Sequence, residues 1–310
     1  MLLVLSGGTG TPKLLQGLVR LLQPEELSIL VNTGEDVEVS GLHVSPDLDT
    51  VLYTLAGIIN ERTWYGIRGD SFFCHDMLRQ LGHKELLRIG DRDRAIKSYR
   101  TSMLRKGKSV TEITRELCRR LGVRSKILPM TNDRVKTVIN TDRGDMSFHE
   151  FWVLRRAKDR VTGVNFEGAE KAKPAPGVIE TIKKSDGIVI GPSNPVTSIG
   201  PILAIKEIRR ALAKKREKVL AVSPIVGGRP VSGPAGVLME GIGHEVSAVG
   251  VAKIYRDLTR KFLLHHTDVH LAPRIEALEM KVFSGNLLMP DLKSRVELAR
   301  RVLRVVRTNR

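Results

Sequence analysis

Several short polar loops carry the residue types that phosphate chemistry needs. Ser6-Gly7-Gly8-Thr9-Gly10 follows the apolar run Leu2-Leu3-Val4-Leu5 and precedes a helically spaced segment, Thr11 to Arg20. A buried strand, a glycine turn and a helix N-terminus in that order make a seat for an anion. The glycines let the backbone approach, and free N–H groups and the helix dipole attract negative charge. Gly7, Gly8, Thr9 and Gly10 are therefore candidate nucleotide contacts. The loop matches neither standard fingerprint. Lys13 follows Pro12 with no Ser or Thr after it, unlike a Walker A loop, and it stands where a dinucleotide loop needs its third glycine.

A second centre is acidic. Ser45-Pro46-Asp47-Leu48-Asp49-Thr50 opens an apolar helix. One carboxylate there serves as a cap; two could hold a divalent cation that bridges phosphate oxygens. Spacing alone leaves both readings of Asp47 and Asp49 open. Three further loops follow apolar runs: Asn32-Thr33-Gly34-Glu35-Asp36, Gly191-Pro192-Ser193-Asn194-Pro195 and Ser223-Pro224-Ile225-Val226-Gly227-Gly228. Caps and turns use the same residues, but two prolines around Ser193 and Asn194 exceed what a cap needs. Asn32, Ser193, Asn194, Gly227 and Gly228 join the ligand-contact candidates. Gly90-Asp91-Arg92-Asp93, with Arg88 just before it, reads as a second cap or a substrate clamp. His265-His266 with His270 and Asp268 lacks zinc-site spacing and reads as a strand end running into a loop. Neither a serine nucleophile elbow nor an activated cysteine motif is present.

These loops need a scaffold. Apolar runs at 2–5, 27–31, 188–190, 219–222 and 262–265 alternate with helical patterns at 11–22, 48–60, 202–214, 247–258 and 291–307. Strand–helix alternation predicts an α/β fold with a Rossmann-like, doubly wound parallel sheet. The middle differs. Residues 70–121 read as nearly all helix, followed by strands at 126–129, 135–140 and 146–154 with a hairpin turn at 141–144. The expected organisation is a nucleotide-binding core, 1–65 and 155–310, with an inserted cap of helices and a small hairpin, 66–154.

The 310 residues carry 51 Lys and Arg against 34 Asp and Glu, a net charge of +17. The dense runs, 206–218 and 293–310, have helical apolar spacing beneath the charge and read as solvated helix faces. With aromatics at only 4% and no nucleic-acid motif, the charge makes nucleic acid a minor expectation. No apolar stretch is long enough to span a membrane, and the N-terminus reads as a strand rather than a signal peptide. Two isolated cysteines, Cys74 and Cys118, suit a reducing, cytoplasmic setting.

Taken in order, the loops closely resemble the 2-phospho-L-lactate transferase family of coenzyme F-420 biosynthesis. The resemblance runs through Ser6–Gly10, Asn32–Asp36, Ser45–Thr50, Gly90–Asp93, Pro129–Asp133, Pro192–Pro195 and Ser223–Gly228. It implies transfer of a phospholactyl group from lactyl-2-diphospho-5′-guanosine to the ribityl hydroxyl of the deazaflavin Fo, with GMP leaving and Mg2+ assisting. It implies further that the glycine loop, Asn194 and Gly227–Gly228 hold the guanosine diphosphate, that Asp49 acts at the Fo hydroxyl or on the metal with Asp47 in support, and that Arg88 reaches Fo. Arg94, Lys97 and His149 depart from the family pattern on the acceptor side, and His265-His266 stands where an acidic residue is usual. Two other functions compete: a non-catalytic regulatory protein of the same fold that binds nucleotide sugars, and a basic nucleic-acid binder. An exposed apolar face would support a homodimer.

Overall fold

Side chains alternate along each strand, so a strand apolar at every position must be covered on both faces. That is the state of β1 (Leu2–Ser6), which sends Leu3 and Leu5 into one hydrophobic core and Leu2 and Val4 into another. The computed structural model describes residues 1–308; the last two residues of the basic C-terminal run lie outside them. The strands are β1, β2 (Leu27–Val31), β3 (Val37–Val39), β4 (Leu42–Val44), β5 (Lys126–Pro129), β6 (Lys136–Thr141), β7 (Gly144–Ser147), β8 (Val161–Glu167), β9 (Gly187–Ile190), β10 (Val219–Val222), β11 (Ile225–Val226), β12 (Arg229–Pro230), β13 (Lys261–His265) and β14 (Lys281–Gly285). The helices are α1 (Gly10–Leu18), α2 (Pro46–Leu55), α3 (Phe73–Gln80), α4 (Asp91–Arg105), α5 (Val110–Arg120), α6 (Val178–Lys184), α7 (Gly200–Ala204), α8 (Lys206–Ala213), α9 (Ala235–Gly241), α10 (Ala248–Ile254), α11 (Ala272–Glu276) and α12 (Leu292–Arg307).

Seven strands form one sheet in the order β14-β13-β10-β9-β1-β2-β5. Every pairing in it is parallel. From β1 the chain winds outward through β2 to β5. It then returns to β9 on the other side of β1 and winds outward again to β14. The winding reverses between β1 and β9, and such a reversal opens a crevice at the strands' carboxyl ends.

The expected α/β class and parallel sheet are present. Six strands escaped the sequence: β14 at the sheet edge, the short hairpins β3–β4 and β11–β12, and β8, which makes the expected hairpin of β6 and β7 three-stranded. The 146–154 run is strand only as far as Ser147, and Glu150–Leu154 forms a π-type turn that buries Phe151. Residues 66–154 also do not stand apart from the sheet, because β5 pairs with β2 through buried Ile127 and Leu128. The basic helices bury apolar faces as expected, Ile208 and Leu212 in α8 and Leu298, Val302 and Val305 in α12. On α3, Phe73, Met77 and Leu81 are exposed at four-residue intervals. No helix among the described residues is long and apolar enough to cross a membrane.

Candidate active site at the switch point

The loops after β1 and β9 meet in backbone contact. A Cβ on Gly10 would lie 1.9 Å from the Pro192 carbonyl oxygen, and one on Gly191 would strike the Thr11 side chain. Only glycine lets the two loops close this seam. The Thr11 and Ser193 hydroxyls bridge it at 2.7 Å. Beside the seam opens a cavity of about 570 Å³. Gly8, Thr9, Gly10, Ser193 and Asn194, all candidate nucleotide contacts, line it. The Asn194 side-chain Oδ1 accepts the Val196 N–H, and its buried side-chain amide nitrogen has no partner among the described residues.

The other expected nucleotide contacts lie elsewhere. Gly7 packs behind the loop, where a Cβ would collide with Ser198. Asn32 lies behind the wall and donates to Asp47 Oδ2 at 2.9 Å and to the Thr197 carbonyl at 3.2 Å. Gly227 and Gly228, with φ of +57° and +71°, form the two-residue turn between β11 and β12. Such a turn needs a positive φ at both positions. The Gly227 N–H is already donated to Asp268 at 3.1 Å. Neither glycine reaches the cavity, which is lined instead by Ser223, Pro224 and residues 231–235 from the same region.

The acidic pair of α2 divides. Asp47 faces the cavity against the glycine loop; a Cβ on Gly8 would lie 3.2 Å from its Oδ1. Its partner there is Glu35 rather than Asp49. Glu35 is buried, lines the cavity and keeps one carboxylate oxygen without a hydrogen bond. Burial, then the Asp47 charge, pushes Glu35 well above the ordinary carboxylate range. Burial raises Asp47 to about 7, against the lowering effect of Asn32. Two buried carboxylates that face one cavity repel each other, and a proton or a cation between them relieves that repulsion. No cluster of three or more His, Cys, Asp or Glu suited to a metal exists among the described residues. A two-carboxylate seat suits Mg2+, which keeps waters and shares substrate phosphates.

Asp49 does not line the cavity. Both its oxygens are taken by Arg100, and Oδ2 also by Lys97 at 3.1 Å. Lys97 pairs in turn with Asp93, which accepts the Tyr53 hydroxyl at 2.6 Å. Although burial raises it, the Arg100 and Lys97 charges together bring Asp49 down to about 2. Three donors from Arg100 and Lys97 thus tie α2 to α4 through Asp49 and set it behind the cavity wall, while the metal and hydroxyl-facing roles were expected at the cavity itself. Among the sequence signals, only the i,i+4 spacing of Asp93 and Lys97 hinted at it.

Arg88 does line the cavity, with its guanidinium 3.9 Å from the Phe72 ring centre. The Gly90–Asp93 segment does not. Asp70 accepts the Arg92 and Asp93 N–H groups, while Asp91 accepts those of Phe73 and Cys74, so α3 and α4 cap each other. His265 is held by Thr267 and Asn286 at the end of β13. His149 lines the cavity and donates Nε2–H to the Glu35 carbonyl at 2.8 Å; burial lowers its pKa. Both tryptophans of the chain, Trp64 and Trp152, line the same cavity with Tyr65 and Phe148. Aromatics are too few and too scattered in sequence to have signalled this gathering.

A doubly wound sheet with a cavity at its switch point is an architecture shared by many α/β enzymes. The family model "2-phospho-L-lactate transferase CofD" matches residues 2–288, and the chain belongs to that family. It is 52% identical over 310 residues to the 2-phospho-L-lactate transferase of Methanopyrus kandleri, covering 98% of this chain and 97% of that one. The namesake from Methanothermobacter thermautotrophicus is 51% identical over 304 residues, with 98% and 97% covered. A crystal structure of a UPF0052-family protein from Bacillus halodurans shares the fold, with a TM-score of 0.66, 17% identity and 97% and 98% of the two chains covered. The resemblance drawn from the loops therefore holds, and the chain is a transferase rather than a non-catalytic binder.

Proposed function

We propose that the protein transfers the 2-phospho-L-lactyl group of lactyl-2-diphospho-5′-guanosine to the terminal ribityl hydroxyl of Fo, releasing GMP, as a step of coenzyme F-420 biosynthesis. The observation that carries this reading is one cavity lined both by the phosphate-type glycine loop and by the chain's two tryptophans. A nucleoside diphosphate suits the first, and a planar tricyclic ring suits the second. In the reaction, the hydroxyl oxygen forms a new bond to the lactyl-bearing phosphorus. The bond from that phosphorus to the GMP oxygen breaks, GMP keeps the electron pair, and the hydroxyl proton passes to solvent. Such transfers depend on positioning and charge neutralisation rather than covalent chemistry.

The residues divide accordingly. Gly8, Thr9, Gly10, Ser193 and Asn194 take the guanosine diphosphate. Asp47 and Glu35 would hold Mg2+, which supplies positive charge to the diphosphate oxygens. Arg88 and the aromatic wall take Fo, and the helical segment after residue 66, which brings Leu86–Arg88 to the cavity, acts as the acceptor-side cap. Asp49 serves by fixing α2, and so Asp47, from behind the wall. We place the protein in the cytoplasm, in keeping with its two free cysteines. Incubation with Fo, the guanosine donor and Mg2+, followed by mass spectrometry, tests the reading. Phospholactyl-Fo and GMP in equal amounts are expected; intact substrates would refute it.

A further inference from the structure

Among the buried or cavity-facing cations, Lys13 and Arg88 form no ion pair among the described residues, and of the two it is Lys13 that stands beside the glycine loop. Lys97 and Arg100 meet Asp49, and Arg295 meets Glu61 at 2.7 Å. Lys13 lines the cavity beside the glycine loop, yet among the described residues it forms no ion pair. Its ammonium sits 5.3 Å from the Trp64 ring centre, and the Arg295 guanidinium lies 4.9 Å from the same ring. Burial, and then the like charge of Arg295, both work against the Lys13 cation and lower its pKa. Within the protein only a ring face favours it.

Two further observations point the same way. Trp64 is held at φ +53°, a left-handed conformation that costs a bulky residue energy and tends to persist at ligand sites. The buried Asn194 amide nitrogen lines the same cavity without a hydrogen-bond partner. It can donate to an incoming oxygen.

We propose that Lys13 is the ammonium that binds the diphosphate of the donor, kept available by the Trp64 ring instead of being spent on a protein carboxylate. The inference deepens the nucleotide reading above and rests on it. It also accounts for the failed Walker pattern: the cation is present, but it sits inside the first helix with no Ser or Thr after it.

Calorimetric titration of the full chain with GDP, inorganic pyrophosphate and guanosine, in the presence of Mg2+, tests it. Lys13→Met is expected to weaken GDP and pyrophosphate by about 10- to 100-fold, the loss of one charge-assisted contact. Guanosine affinity should stay unchanged, and Tm should hold or rise because a repelled charge has gone. Lys13→Arg should recover most of the loss. Equal GDP affinity in wild type and Lys13→Met would overturn the proposal, as would a parallel loss of guanosine binding, which marks a structural role. If wild type binds pyrophosphate but not GDP, the guanosine reading fails while Lys13 stands or falls on the pyrophosphate ratio. Binding of neither anion overturns both.

Discussion

Arg100 reaches from α4 to grip the Asp49 carboxylate of α2 with both terminal nitrogens, and their side chains are only 2% and 6% exposed. Asp49 was the strongest catalytic candidate by position; by geometry it is tied to Arg100 and Lys97 behind the cavity wall, and we propose that its role is structural. Removing one partner of a buried pair strands the other charge, at about 3–5 kcal/mol. Asp49→Asn should therefore shift urea unfolding by that order, and Asp49→Asn with Arg100→Met should cost less than the sum of the two single changes. Unaltered unfolding of Asp49→Asn, together with lost turnover, would return Asp49 to the chemistry.

Asp47 should behave in the opposite way. Its folded value near 7 lies above the ordinary 3.8, so the fold binds its proton more tightly than the unfolded chain does. That contribution is complete below about pH 4 and is lost as pH rises through about 7. Asp49, held near 2, contributes above its ordinary value and loses that contribution only as pH falls towards 2. Without metal, Tm of Asp47→Asn relative to wild type should thus climb between pH 4 and pH 8. Turnover should fall by about 100-fold or more. A Tm difference that is flat with pH would contradict the placement of Asp47.

Mg2+ offers a separate check. At pH 8 it should raise wild-type Tm, and it should do so less in Glu35→Gln and hardly at all in Asp47→Asn, because ligand binding to the fold adds stability by mass action. An equal rise in all three proteins would move the metal away from this pair.

Glycine substitutions should separate seam from cavity. Gly10→Ala drives a methyl group into the Pro192 carbonyl and should cost about 1–3 kcal/mol as an overpacked contact. Gly8→Ala meets only Asp47 Oδ1, at 3.2 Å, and should leave thermal unfolding nearly unchanged while weakening GDP binding. Calorimetry of both variants reads the two effects, and a stable Gly10→Ala would refute the seam.

Trp152 is 41% exposed at the cavity edge, so its truncation should cost the fold little. Trp152→Ala should raise KM for Fo by about tenfold, the order of a lost aromatic stack, and leave KM for the donor unchanged. Equal effects on both substrates would place the aromatic wall elsewhere.

Legibility in the sequence followed range. The glycine loop and Asn194 were readable because a strand, a turn and a helix start are neighbours in the chain. The strands β1, β2, β9, β10 and β13 were readable because burial on both faces leaves an unbroken apolar run. β14 was missed because its Lys281, Ser284 and Gly285 leave only two apolar residues in a row at a half-covered edge. Glu35 was in view as a loop residue, but its pairing with Asp47 depends on packing across 11 intervening positions. The Asp49–Arg100 pair depends on how α4 docks on α2, which no local spacing encodes. Gly227–Gly228 misled because a tight hairpin and a phosphate loop call for the same residue.

The cavity wall at Trp64 is braced from far along the chain. Arg295, in the first turn of α12, lies against the Trp64 ring and holds Glu61 and Gln16. About 285 residues of chain separate Gly10 of the glycine loop from Arg295 of the brace, and the loop comes first. During synthesis the emerging protein thus passes through a long interval with its anion loop built and one wall unsupported. Nucleotide affinity should arrive late and abruptly, with the helix that carries Arg295, rather than accumulate as each strand of the sheet is added.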